Sequence, residues 1–93
     1  MKKYICPVCG YRTLDDSHGH FDICPVCFWE DDNLQCLDFD YAGGANRVSV
    51  NQARENYKKF GACEERFIEH VRPPRPEEFT TATYEEEFEE PVF

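Results

Sequence analysis

A five-residue sequence, Ile-Cys-Pro-Val-Cys, occurs twice in this chain, at residues 5–9 and again, letter for letter, at residues 23–27. Two copies spaced this closely do not match stacked-repeat proteins, whose units are longer and recur at least three times. Proline presets a backbone angle in a tight turn, and a two-residue spacer points both cysteine sulfurs at one centre. The repeat therefore predicts two similar turns that face a shared centre.

The two turns supply four candidate metal ligands in the pattern Cys-x2-Cys-x14-Cys-x2-Cys: Cys6, Cys9, Cys24 and Cys27. Four thiolates in two pairs form a closed tetrahedral site, and the interval is close to that of structural zinc. Neither an export signal nor an apolar run of about 18 residues is present, so we expect a cytoplasmic protein without a membrane segment. In that reducing compartment paired cysteines more often hold metal than each other. We expect zinc as the cofactor.

Three other chemistries remain open for the same cysteines. Iron fits the same four-thiolate geometry, as in a rubredoxin-like electron carrier. A dithiol redox function needs only one pair with a lowered pKa and does not explain the duplication. Catalytic zinc is the least favoured, because four cysteine ligands leave no open position for water or substrate.

The charge of the chain argues against nucleic acid as a partner. The formal net charge is -9, and only residues 41–75 are basic, at +3. Phosphate contacts supply most of the non-specific affinity for nucleic acids, so an acidic chain must work against its own field. No spacing pairs a nucleophile with a base, and no glycine loop fits a phosphate, so we expect no enzymatic activity.

The middle of the chain predicts two helical stretches. Ser49 and Gln52 have the spacing of a capping box, and Gly61 follows as a stop signal. A second stretch is predicted from about residue 63 to 71, ended by two prolines. The apolar residues predicted to join this helical hairpin to the β part are Val50, Ala53, Tyr57, Phe60, Phe67 and Ile68.

Two acidic regions are predicted to lack regular secondary structure. Residues 30–46 are rich in acidic and turn residues and predict a loop, with residues 30–32 as a solvated acidic turn. Residues 76–93 carry seven acids and no cation, which predicts a mobile tail. The alternative is that the β-prone residues 79–84 add to a sheet edge or to a partner. We therefore expect one domain over residues 1–75 and a tail over residues 76–93.

Five further residues are singled out by their types. Cys36 and Cys63 lie outside the pattern and are expected to be small buried hydrophobes. His18 and His20 fall in the connection between the turns, where we expect solvation, with a ligand swap or a pH-responsive contact as the alternative. Trp29 follows the last ligand and is expected to cover the metal site, with a partner anchor as the alternative.

The sequence resembles the bacterial cysteine-rich CPCC domain, a small zinc-ribbon-like module. The resemblance is carried by the stretches at residues 6–11, 23–32, 43–46, 49–54, 60–62 and 65–67. It implies a metal site on the four paired cysteines and a bacterial cytoplasmic setting, and it brings no reaction with it. One position departs from the motif, because Val8 stands where the family name places a cysteine.

Together these observations predict a small α+β fold in which a metal-stabilised, zinc-ribbon-like β part packs on a short helical hairpin. We expect a non-enzymatic protein-binding or regulatory module whose acidic surface suits a basic protein partner. The alternatives are a rubredoxin-like iron electron carrier and a nucleic-acid-binding zinc ribbon.

Overall fold

The computed structural model describes residues 2–87, a small α+β domain with two antiparallel hairpins and several short helices. The strands are β1 (Tyr4–Ile5), β2 (Arg12–Leu14), β3 (His20–Ile23) and β4 (Glu30–Asp32). The α-helices are α1 (Asn33–Leu37), α2 (Val50–Phe60) and α3 (Tyr84–Glu87), and two 3₁₀ helices cover Glu65–His70 and Pro76–Glu78. None of the helices between residues 2 and 87 has the length and apolar character needed to cross a membrane.

Each copy of the pentapeptide forms the turn of one hairpin. Strand β1 pairs antiparallel with β2, and β3 pairs antiparallel with β4. In the first turn the Gly10 amide donates to the Cys6 carbonyl at 3.0 Å, and in the second the Phe28 amide donates to the Cys24 carbonyl at 2.8 Å. The predicted pair of similar turns is confirmed at the level of the backbone.

In both turns the residue that follows the second cysteine has a left-handed backbone conformation. Gly10 has φ 82°, and Phe28 has φ 69° at the matching position. A left-handed backbone costs roughly 1–2 kcal/mol in a residue with a side chain, so the second turn is strained where the first is not. The partly buried Phe28 ring packs against Phe67 at a centroid distance of 4.6 Å, and this contact offsets part of the strain.

Helix α2 begins and ends where the sequence predicts. The Ser49 hydroxyl accepts the Gln52 amide at 3.1 Å, and Gly61 closes the helix with φ 79°. The reciprocal half of the capping box is absent, because the Gln52 side chain donates to Asn56 instead. Val50 and Ala53 are fully buried, which confirms the inner face of the helix.

The second predicted helix is shorter and of a different type. Residues 65–70 form a 3₁₀ helix rather than an α-helix over 63–71. The preceding segment is held elsewhere, since the Cys63 amide donates to the Cys27 carbonyl and the Cys63 carbonyl accepts from Asn56. Phe67 packs on the core as predicted, but Ile68 is 43% exposed, so its predicted packing is wrong.

The acidic loop predicted over residues 30–46 contains two elements. Glu30–Asp32 is strand β4, and Asp31 is only 1% exposed, so the prediction of a solvated turn is wrong. The Asp32 carboxylate accepts the amides of Leu34 and Gln35 and caps α1. The carboxylates pair with local donors here, which composition alone does not reveal.

Residues 76–87 lie against the β part. The Arg72 guanidinium donates to both carboxylate oxygens of Glu78, at 2.8 and 2.7 Å, and Tyr84 is buried. The described portion of the predicted mobile tail is thus in contact with the domain. Residues 88–93, the remainder of that tail, lie outside the described residues, and the division of the chain at residue 75 stays a prediction.

Candidate metal centre

The four cysteines selected by their spacing come together at the tips of the two hairpins. The sulfurs of Cys6, Cys9, Cys24 and Cys27 all lie within 4.8 Å of one another. The Sγ atoms of Cys6 and Cys27 are 3.5 Å apart, and those of Cys9 and Cys24 are 3.7 Å apart. Each short distance joins one turn to the other, so the two turns face a common point as the repeat predicts.

These separations fit a metal ion better than covalent bridges. A disulfide requires sulfurs about 2.0 Å apart. A tetrahedron with zinc–sulfur bonds of about 2.3 Å has sulfurs roughly 3.8 Å apart. The measured 3.5 and 3.7 Å lie close to that edge, and all six cysteines are free thiols. The donor set therefore fits one tetrahedral ion with soft ligands.

The cluster is enclosed on most sides. Cys6, Cys24 and Cys27 are fully buried, and Cys9 is partly exposed. The apolar residues packed together with the cluster are Val8, Leu14, Val26, Trp29, Val50 and Ala53. Trp29 is fully buried in this core, which supports its predicted role as a cover for the site. The apolar surroundings limit the access of water to the sulfurs.

The electrostatics of the metal-free cluster are unequal among its members. Burial and hydrogen bonding within the cluster raise the pKa of Cys6 and of Cys27 well above the usual range. Burial also acts to raise the pKa of Cys24, but hydrogen bonds from the other thiols and from the Thr13 hydroxyl lower it. The Thr13 oxygen lies 2.9 Å from the Cys24 sulfur. The Thr13 hydroxyl thus contributes one of the contacts that set Cys24 apart from Cys6 and Cys27.

Four sulfurs fill a tetrahedral coordination sphere. No position is left for a substrate or an activated water, so the arrangement is suited to holding the fold or to passing an electron. Zinc and ferric or ferrous iron both accept this geometry, and the sulfur positions alone do not separate them.

The other residues singled out in the sequence have mixed outcomes. Cys36 and Cys63 are buried, at 5% and 0% exposure, as expected. The side chain of His20 is 55% exposed, as expected for a solvated connection. The side chain of His18 is only 8% exposed, so its predicted solvation is wrong. Its ring stacks edge-on against Tyr84 at a centroid distance of 4.6 Å.

One residue near the site carries no signal in the sequence pattern. The Arg54 side chain reaches from α2 to the first turn, where its Nε donates to the Pro7 carbonyl at 2.7 Å. Arg54 lies on the polar side of the predicted helix, so the pattern predicts a solvated side chain. Only the packing of α2 across the turn gives it a partner.

Comparison with known proteins gives two matches. The chain is 44% identical over 36 residues to Rubrerythrin-2 of Clostridium acetobutylicum, a stretch that covers 39% of this chain and 18% of that protein. The match therefore spans well under two thirds of the relative. The sequence model of the family described as Cysteine-rich CPCC matches residues 4–78, which is most of the chain. The protein belongs to the cysteine-rich CPCC family.

Proposed function

We propose that the protein is a small, non-enzymatic protein-binding module whose fold is held by one structural zinc ion. Cys6, Cys9, Cys24 and Cys27 would hold the ion, and their clustering within 4.8 Å supports this assignment. The six free thiols fit a reducing, cytoplasmic setting. The observation that carries the binding role is an exposed apolar face on α1.

The zinc assignment accounts for the stability of so small a domain. The hairpins have only two to four residues per strand, and isolated two-stranded hairpins are marginal in water. A structural zinc site contributes on the order of 10 kcal/mol, as much as the whole net stability of a typical domain. Removal of the ion is therefore expected to unfold the β part.

The apolar face of α1 lies beside acidic side chains. Leu34 and Leu37 are three residues apart on one face of the helix, and they are 57% and 52% exposed. Tyr41, at 39% exposure, follows in the next segment, and Asp38 and Asp40 are exposed. An apolar contact rimmed by carboxylates suits a protein that presents an apolar residue among basic ones.

Affinity capture with matched variants tests this proposal. The zinc-loaded protein serves as bait beside the double variant Leu34→Ser/Leu37→Ser and the control Ile68→Ser, which changes another exposed apolar residue. A salt-sensitive partner should be retained by the wild type and the control and lost by the double variant. Capture of the same proteins by all three baits would reject this face as the binding surface.

Iron-based electron transfer is the second candidate. Its support is the short match to Rubrerythrin-2 and the partial exposure of Cys9, the one ligand that is not fully buried. Colour separates the candidates, because ferric thiolate sites absorb visible light and zinc sites do not. A colourless protein that contains one zinc per chain rejects the electron carrier.

A further inference from the structure

The segment at residues 82–87, called the strap below, covers the first cysteine turn and strand β1. Its helical turn α3 is closed by a reciprocal capping box, in which Thr83 accepts the Glu86 amide at 3.2 Å and Glu86 accepts the Thr83 amide at 3.1 Å. Residues 82–85 and the first turn, including Cys9, line a shared cavity of about 440 Å³. The strap is therefore a locally ordered segment laid over the domain.

The ring of Tyr84 occupies an aromatic slot in the domain. Tyr84 is 4% exposed, and its ring lies 4.6 Å from the His18 ring in an edge-on contact and 5.8 Å from the Phe39 ring. Cys36 borders the same slot, since its thiol donates to Asp31, which lies 3.8 Å from His18. A single side chain of the strap thus buries against several elements of the domain.

Carboxylates on either side of the slot meet cations and a backbone amide. One Glu87 oxygen accepts the Ile5 amide at 2.7 Å, and the other pairs with Arg12. The Glu85 carboxylate accepts from Arg54 Nη2 at 2.9 Å, while the same guanidinium holds the first turn through Pro7. The strap residues that contact the domain therefore follow the order tyrosine, glutamate, any residue, glutamate.

The receptor and the strap belong to different parts of the chain. The family match ends at residue 78, and the residues that receive the strap all precede that point. They are Ile5, Arg12, His18, Cys36, Phe39 and Arg54. The connection to the strap includes Phe79, which is 59% exposed, and Thr81, which is also exposed. The domain therefore contains a complete recognition surface, and the strap lies beyond the segment that defines the family.

We propose that this groove is a peptide-binding site for an acidic segment led by tyrosine, and that the strap is its ligand within the same chain. The proposal goes beyond the α1 surface, because it adds a second binding site for a segment of the opposite charge. Two arginines and an amide select carboxylates, and the aromatic slot selects the ring. A partner segment of the same order displaces the strap, so the strap regulates access to the groove.

The strap competes strongly because it is tethered. The connection to the strap is short, and its Phe79 ring lies edge-on against Tyr11 at a centroid distance of 5.1 Å. A short tether gives its ligand an effective concentration of about 1 mM. In the wild type a free peptide competes with the tethered strap for the groove. In a chain whose strap is disabled, this competitor is absent. Because the strap occupies the groove, its effective concentration exceeds its own dissociation constant, and a ratio of about ten keeps the groove roughly nine-tenths filled. Disabling the strap should therefore strengthen binding of the free peptide about tenfold or more.

The test uses the full-length, zinc-loaded chain and a fluorescent peptide with the strap sequence Ala-Thr-Tyr-Glu-Glu-Glu. The open variant is Tyr84→Ala/Glu87→Gln, and its control is Glu86→Gln, whose side chain bonds with Thr83 inside the strap. Fluorescence anisotropy should show at least tenfold tighter binding to the open variant than to the wild type or to the control. A peptide with alanine in place of tyrosine should not bind.

Adding Arg12→Ala to the open variant should weaken binding about tenfold, because it removes a charge-assisted hydrogen bond. Adding Arg47→Ala, which changes an exposed arginine, should leave binding unchanged. A folded open variant that does not bind the peptide overturns the proposal. An open variant that loses its zinc and the near-UV signal of Trp29 also overturns it, because the strap is then part of the core. Either failure leaves the α1 surface and its capture experiment unaffected.

Discussion

Replacement of Gln35 by methionine should cost the domain about 2–3 kcal/mol of unfolding free energy. Gln35 is fully buried, and its amide nitrogen donates to the carbonyls of Tyr41, Asn46 and Val48 at 3.0 to 3.3 Å. Its oxygen accepts both the backbone amide and the side-chain amide of Asn46, at 3.1 and 2.8 Å. This one side chain therefore pins the connection between α1 and α2.

The magnitude follows from the groups left without partners. Methionine keeps the length of the side chain, so little packing is lost. The buried backbone amide of Asn46 loses its acceptor, whereas the Asn46 carbonyl still accepts from Gly43 and its side-chain amide still donates to Glu30. A buried polar group deprived of its partner costs about 1–3 kcal/mol. The Asn46 amide accounts for about 1–3 kcal/mol, and the partly buried carbonyls of Tyr41 and Val48, which also lose their donor, add a smaller cost.

Urea unfolding of the zinc-loaded protein measures the effect, with Gln52→Met as the matched control. Gln52 is exposed on α2 and its side chain bonds only locally, to Asn56, so its replacement should change the stability by less than about 0.5 kcal/mol. The slope of the unfolding free energy against urea concentration should be the same for all three proteins. A loss below 1 kcal/mol for Gln35→Met would show that the polar network does not hold this connection.

Three further predictions concern the helix cap, an ion pair and the cysteines. Ser49→Ala should lower the stability by about 1 kcal/mol in the same assay, since it removes the acceptor of the Gln52 amide, and an unchanged value would contradict the cap. The hydrogen bonds from Arg72 lower the pKa of Glu78 despite its burial, so the stability that this glutamate adds is present above the usual pKa of about 4.5 and lost as the pH falls below it. The stability difference between the wild type and Glu78→Gln should be constant from pH 8 to 5 and shrink at lower pH, and a difference that grows on acidification would refute the assignment. Cys36→Ser should keep one equivalent of metal while Cys24→Ser loses it, as measured by elemental analysis, and equal loss in both would count against the four-cysteine site.

The sequence identifies the cysteine cluster and helix α2 because both depend on local chemistry. The spacing of the cysteines fixes the turns, and Ser49 and Gly61 fix the ends of the helix through backbone geometry that any fold must respect. These features could be predicted without knowledge of the long-range packing.

The rest of the structure depends on contacts between distant residues. The sequence predicts a solvated His18, but in the fold its ring is covered by Tyr84, which lies 66 positions later in the chain. The sequence predicts an exposed Asp31, but in the fold its carboxylate accepts from the Cys36 thiol and the Gly19 amide. Acidic composition suggests solvation because most acids are exposed. Only the packing of α1, the hairpins and the strap shows which of them are held inside.

X-ray absorption at the metal edge of the purified protein tests the central claim most directly. We expect one zinc per chain with four sulfur neighbours at about 2.3 Å and no nitrogen or oxygen ligand. A folded protein that carries no metal, or a metal bound by fewer than four sulfurs, would contradict it.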